Sequence, residues 1–179
     1  ALTINLMSVF ASAFTILFLF WSLSLLLRQF HNDQQDLEAS IGWKIIGSSA
    51  VGALAFTFTD SFWFSAVEAE VYAAAACIMS ILFYCGLRWQ ADMYTPRGNR
   101  WLILIAFVVG LSFGIHFMGL LTIPAIGFLY FFRTTPKVTP KNFITANIVV
   151  VAVLLFIFKL LLPWTLKFFS AMELFFVNN

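Results

Sequence analysis

The stretch Trp101–Phe132, WLILIAFVVGLSFGIHFMGLLTIPAIGFLYFF, runs for 32 residues without a charged side chain. As one helix it would be about 48 Å long at ~1.5 Å per residue, well past the ~30 Å hydrocarbon core of a bilayer. As two, it gives helices of roughly 15 residues, at the low limit for a crossing. Gly110, Gly114, Gly119 and Pro124 fall in its middle with His116 among them, a composition that favours a break. Positive charge decides between the two. Arg100 stands before the run, and Arg133, Lys137 and Lys141 follow it with no acid nearby. Short loops rich in Lys and Arg stay cytoplasmic, so both ends lie on one side and the run folds back near His116.

Working outward, the whole chain has the composition of a molecule dissolved in lipid. Of its 179 residues 62% are hydrophobic and 10% charged, with a mean hydropathy of +0.96. A soluble domain is about half apolar and about a quarter charged. A water-facing domain, a disordered segment and a disulfide scaffold are therefore excluded. The net charge of +2 is too small to create a field for nucleic acid, so no nucleic-acid partner is expected. Cys77 and Cys85 share one apolar run, and at about 12 Å apart on a helix they cannot bridge within it. The chain opens at Ala1 without the basic region of a signal peptide and closes on Phe175-Phe176-Val177-Asn178-Asn179, which reads as a fragment of a longer protein.

Ala1–Leu27, Ile45–Thr59, Val71–Leu87 and Asn142–Phe158 are the other uncharged runs. The expected fold is an all-α polytopic membrane protein. It is read as a single transmembrane domain over 1–179, with about six transmembrane helices at 3–27, 43–62, 68–88, 101–115, 117–132 and 143–164, some of them short. The inside loops are then 28–42, 89–100 and 133–142, and eight of the ten basic residues lie in or beside them. The outside segments are 63–67, the turn near His116 and everything after Pro163. Trp43, Trp63, Trp89, Trp101 and Trp164 all fall at expected helix ends, as an aromatic belt requires. The polar stretch His31–Glu38 reads as a solvated inside loop, because one His among scattered acids lacks metal-ligand spacing.

On this map Asp60, Glu68, Glu70 and His116 gather at the outer interface. Acids at such depth are costly and are functional candidates by default. The segment Thr59–Tyr72, TDSFWFSAVEAEVY, places three acids within eleven residues and no Lys or Arg among them. A desolvated carboxylate there can act as a base near neutral pH, or can hold a divalent cation facing a phosphate. The structural alternatives are as specific: Asp60 ends a helix at the water surface, and Glu68 is an N-terminal acid favoured by the dipole of the next. On one helix Glu68 and Glu70 point about 200° apart, so they do not face one ligand together. A helix beginning near Glu68 aligns Glu70 with Ala73, Ala74 and Cys77, the close-packing side, and Glu68 with Tyr72, Ala75 and Met79. His116 is either a turn histidine bonded to a backbone carbonyl freed by the glycines or a donor to a phosphate or sugar oxygen. Lys159 and Lys167 either snorkel or meet a phosphate. The chain holds no Gly-rich phosphate loop, no serine-hydrolase elbow and no His-Glu-x-x-His zinc motif.

Phe58-Thr59-Asp60-Ser61-Phe62-Trp63, Ala66-Val67-Glu68-Ala69-Glu70-Val71-Tyr72-Ala73, Gly110-Leu111-Ser112-Phe113-Gly114-Ile115-His116 and Ile123-Pro124-Ala125 carry a resemblance. They resemble a bacterial membrane family of unassigned function, common in Bacteroidota and related to the transmembrane protein O-mannosyltransferases. More broadly the chain resembles the GT-C glycosyltransferase superfamily. The resemblance implies part of a GT-C membrane core in the bacterial inner (cytoplasmic) membrane, with its active site on the outer face. It implies a polyprenyl-phosphate sugar as donor and transfer, with inversion, to a Ser/Thr hydroxyl of a secreted or envelope protein; a divalent metal is a further candidate. In that family an acidic outer-loop motif, followed by a His-Pro-Pro-Gly stretch, precedes the region matching Ile4–Ser8. This chain lacks both, so the expected general base lies upstream of Ala1. Asp60 and Glu70 are then assigned secondary catalytic roles, and Glu68, Tyr72 and His116 substrate-binding ones. The alternatives are a non-catalytic membrane subunit of an envelope complex and a transporter half. A transporter places charges near the bilayer midplane, whereas every acid here falls at an interface.

The map predicts opposite accessibility for two positions. In a protein lacking Cys77 and Cys85, single cysteines replacing Arg97 and Ser65 are expected to react from the inside and the outside respectively. Labelling of position 97 by an impermeant reagent added outside overturns the map.

Overall fold

The computed structural model describes residues 2–32, 39–68 and 70–178; most of the polar stretch expected as an inside loop, 33–38, lies outside the described residues. Those residues form helices joined by short turns, with no strand among them: α1 (Leu2–Asn32), α2 (Ala39–Thr57), α3 (Asp60–Val67), α4 (Val71–Asp92), α5 (Gly98–Ser112), a 3-10 turn (Phe117–Leu121), α6 (Thr122–Thr134), α7 (Pro140–Phe156), a π turn (Ile157–Leu161) and α8 (Leu162–Asn178). Four helical segments are long and apolar enough to cross a membrane: Thr3–Phe30, Val71–Asp92, Phe117–Thr134 and Pro140–Asn178. The bent pair Ile41–Thr57 and Asp60–Val67 makes a fifth if counted as one span. Helix α5 has 15 residues, about 22 Å, and falls short of the hydrocarbon core. The protein is thus a multi-pass helical membrane protein with four to five crossings by length.

Two expected boundaries are corrected by local backbone chemistry. The helix expected over 43–62 bends by 69° between α2 and α3. There the Phe58 and Thr59 amides donate to the Ala55 and Phe56 carbonyls, and the Thr59 hydroxyl also donates to Phe56 at 2.8 Å. Thr59 itself is extended (φ −72°, ψ 138°), which stops α2, and Asp60 opens α3. The helix expected over 68–88 runs instead over Val71–Asp92, because Glu68 and Glu70 are both extended (ψ 146° and 165°).

Residues 1–129 form one compact unit, with α4 at its centre, packed by α1, α3, α5 and the 3-10 turn. In lipid the apolar solvent gives little reward for apolar contact, so helices associate through close packing and small side chains. Helix α4 accordingly buries Ala73 and Ala75 near its start and Cys85 and Gly86 further on. The Cβ that Gly86 lacks would lie 3.1 Å from Ile126. Ile78, Leu82, Cys85, Trp89 and Ile105 form the core. Helix α1 buries Ser8, Ser12, Thr15 and Ser22, a small polar stripe at helical spacing. Trp89 is 7% exposed and is a core residue, not a belt residue, since α4 continues past it to Asp92. Trp43 and Trp164 stand out at 76% and 70% exposure.

The run that decided the sequence reading is interrupted. Helix α5 ends at Ser112, residues 113–116 turn, and the 3-10 turn begins at Phe117. The turn is docked by the closest approach found at any described glycine: a Cβ on Gly119 would lie 2.7 Å from the Cβ and Oγ of Ser112 and 3.4 Å from Ile78.

Residues 130–179 form a second unit. Pro140–Asn178 is a helical segment of 39 residues. Its start is set by a capping box, in which the Thr139 hydroxyl accepts from the Asn142 amide and the Asn142 side chain accepts from the Thr139 amide, with Pro140 in the first turn. The expected end near Pro163 is corrected. A proline without an N–H leaves the carbonyl four residues earlier unpaired. The π turn at Ile157–Leu161 widens the helix just before Pro163 and the chain continues to Asn178.

Gly119→Ala is expected to lower the thermal stability of the detergent-solubilised protein by about 1–3 kcal/mol through overpacking. Gly47→Ala, where a Cβ meets nothing within 4 Å, is the matched control and is expected to be neutral or mildly stabilising.

Candidate functional site

The breaks around α3 and after α5 position the residues that carry chemistry. Asp60 is exposed in the first turn of α3, where its charge suits the helix dipole. Glu68 closes α3, its amide donating to the Phe64 carbonyl at 3.1 Å, and its side chain is exposed. Glu70 is the N-cap residue of α4, exposed, and its side chain makes no capping bond to described residues. The expectation that Glu70 follows the face of Ala73, Ala74 and Cys77 is corrected here. It precedes the helix, in extended backbone, and has no helical face. Helix α3 spans eight residues, about 12 Å, so Asp60 lies a helix length from the Glu68–Glu70 segment. Among the described residues no three His, Cys, Asp or Glu side chains converge as metal ligands.

Tyr72 and His116, 44 positions apart in the chain, are brought together. Their rings lie 5.7 Å apart, centre to centre, at 51°. Tyr72 sits in the first turn of α4, half exposed. His116 is delivered by the turn after α5, where the Gly114 amide donates to Leu111 and the Ile115 and His116 amides both donate to Ser112. His116 is extended and caps the 3-10 turn, its Nδ1 accepting from the Met118 amide at 3.1 Å. A neutral imidazole that accepts at Nδ1 carries its proton on Nε2. The expected bond to a backbone carbonyl is thus corrected: the ring accepts from a backbone amide through Nδ1, which leaves Nε2–H as a donor.

The structure also joins residues that sequence reasoning passed over. Asp92 accepts from the indole Nε1–H of Trp101 at 2.9 Å and lies 3.9 Å from Nη2 of Arg88, whose guanidinium stands 5.4 Å from the Trp101 ring centre. The spacing of Arg88 and Asp92, one helical turn, was the available signal.

A helical, multi-pass membrane protein with interrupted spans is the class that this architecture defines. Residues 1–139 match the family model described as Protein O-mannosyl-transferase TMEM260 N-terminal domain, and the chain belongs to that family. All five candidate residues, Asp60, Glu68, Glu70, Tyr72 and His116, fall within the matched segment. No curated protein matches the chain, and no solved structure does.

The cap geometry separates the two uses of His116. His116→Ala is expected to cost about 1 kcal/mol in thermal stability by leaving the Met118 amide uncapped. His116→Asn supplies a capping oxygen and is expected to restore most of that loss, measured as the midpoint of thermal unfolding in detergent.

Proposed function

We propose that the chain is the membrane segment of a GT-C-like protein O-mannosyltransferase. It works with six crossings, α5 being a short one, in a bacterial inner membrane, with the Asp60–Tyr72 segment facing outward. The observation that carries the assignment is the Tyr72–His116 pair, with Glu70 two residues before Tyr72, within the segment that matches the O-mannosyltransferase family. The donor is a polyprenyl-phosphate sugar and the acceptor a Ser/Thr hydroxyl of a secreted or envelope protein. In the transfer, the hydroxyl oxygen attacks the anomeric carbon and the bond from that carbon to the phosphate oxygen breaks. The polyprenyl phosphate leaves with the electron pair, and a general base takes the hydroxyl proton.

In this chain, the Tyr72 hydroxyl and the His116 Nε2–H donate to oxygens of the sugar or of the leaving phosphate. Glu70 and Glu68 accept from sugar hydroxyls and keep away from the phosphate, because two anions repel. Asp60, a helix length away, has a supporting role at the outer rim.

In the full-length protein, transfer from polyprenyl-phosphate mannose to a Ser/Thr peptide tests the proposal. His116→Asn, Tyr72→Phe and Glu70→Gln are each expected to lower transfer by about tenfold or more, the scale of one hydrogen bond to a charged group. Glu68→Gln is expected to do less. Wild-type transfer in all four variants, at matched protein levels, overturns the proposal.

A further inference from the structure

The chain between α4 and α5 is built more tightly than a linker needs to be. The Thr95 amide and hydroxyl both donate to the Asp92 carbonyl, at 2.9 and 2.8 Å. The same hydroxyl accepts from the Arg97 amide at 3.2 Å, and the Gly98 amide donates to the Thr95 carbonyl at 3.0 Å. Gly98 is buried, and a Cβ there would lie 2.9 Å from the Asp92 carbonyl oxygen and 3.0 Å from that of Met93. A side chain at position 98 would therefore force the turn open. The closed turn frames an open pocket of about 330 Å³ lined by Asp92, Thr95, Pro96, Arg97 and Arg100.

The charges in this pocket are unequally engaged. The Asp92 carboxylate is held by the Trp101 indole and stands near Arg88, and Arg88 is itself occupied by Asp92 and the Trp101 ring. Arg97 and Arg100 are exposed and have no acidic partner within ion-pair distance among the described residues. Two forked donors thus line the open pocket without an acidic partner among the described residues. Guanidinium groups match phosphate oxygens bidentately. The turn closes the end of α4, which is apolar enough to span, and Trp101 and the exposed Tyr94 flank it, so it lies at the level of lipid headgroups.

We propose that this turn is a binding site for the phosphate headgroup of an anionic lipid, with Arg97 and Arg100 as its ligands and Gly98 and Thr95 as the residues that shape it. The site is independent of the transferase assignment and of which face of the membrane it occupies.

The test uses the whole chain, purified in detergent and loaded with equimolar phosphatidylglycerol and phosphatidylcholine, with retained lipid read by native mass spectrometry. Wild type is expected to retain phosphatidylglycerol preferentially. Arg97→Gln with Arg100→Gln is expected to lower that preference by about tenfold or more, at roughly fivefold per basic residue near a charged headgroup. Lys137→Gln with Lys141→Gln is expected to leave it unchanged. Arg97→Lys with Arg100→Lys keeps the charge and removes the fork, and is expected to recover only part of the preference. Equal retention by wild type and the double Gln variant overturns the site. Full recovery by the double Lys variant overturns it in favour of a diffuse charge effect. Displacement of the lipid by millimolar inorganic phosphate overturns the lipid assignment in favour of a free phosphate.

Discussion

Inside a bilayer no water is available to complete a broken backbone, so each amide and carbonyl must find its partner within the protein. At four of the interruptions among the described residues a side chain has taken over part of the backbone hydrogen bonding. The Thr59 hydroxyl serves the end of α2, the His116 ring serves the 3-10 turn, the Thr95 hydroxyl serves the turn after α4, and Thr139 with Asn142 serves the start of α7. Asp60 and His116 lie at two of these interruptions, and Glu68 and Glu70 at the further break between α3 and α4.

Between the interruptions, association rests on how closely backbones approach. Helix α4 is the hub, packed by α1, α3, α5 and the 3-10 turn, with buried alanines near its start and Gly86 admitting Ile126 of α6. The docking of Gly119 against Ser112 and Ile78 does two things at once. It seals the core of the unit, and it fixes the height at which the preceding turn presents His116 to Tyr72. A mechanical contact in the core thus sets the geometry of the candidate site.

Much of this was legible in the residues and some of it was not, for identifiable reasons. The membrane class followed from charge-free runs, and the interruption between Ser112 and Phe117 followed from glycines flanked by arginines. The bend at Phe58-Thr59 left no such trace, since neither residue is a habitual breaker and the stop is made by a hydroxyl bonding back to the helix. The start of α4 was misplaced because an acid before an apolar run resembles a first-turn residue as much as a cap. Trp89 resembled an interfacial anchor only while the helix was expected to end at residue 88. The buried serines of α1 disappear into an average hydropathy that leucine and phenylalanine dominate. Asp60, Glu68, Glu70, Tyr72 and His116 were each visible as chemistry. The pairing of Tyr72 with His116 is a tertiary fact, set by how the turn packs on α4, and no local pattern encodes it.

The helical segment Pro140–Asn178 has a consequence of its own. At 39 residues it is about 58 Å long, whereas a bilayer with its headgroups measures about 40–45 Å. Spanning the membrane without protrusion would need a tilt of about 40°, the upper end of what is observed. The wide turn before Pro163 divides this length into a 17-residue stretch on one side and another of 17 on the other. Each half is shorter than a full crossing and the whole is longer than one. Length in excess of one crossing is therefore built into this segment, with Lys167 and Glu173 on its second half as charges that can reach water, and the Pro163 region is the joint between the halves.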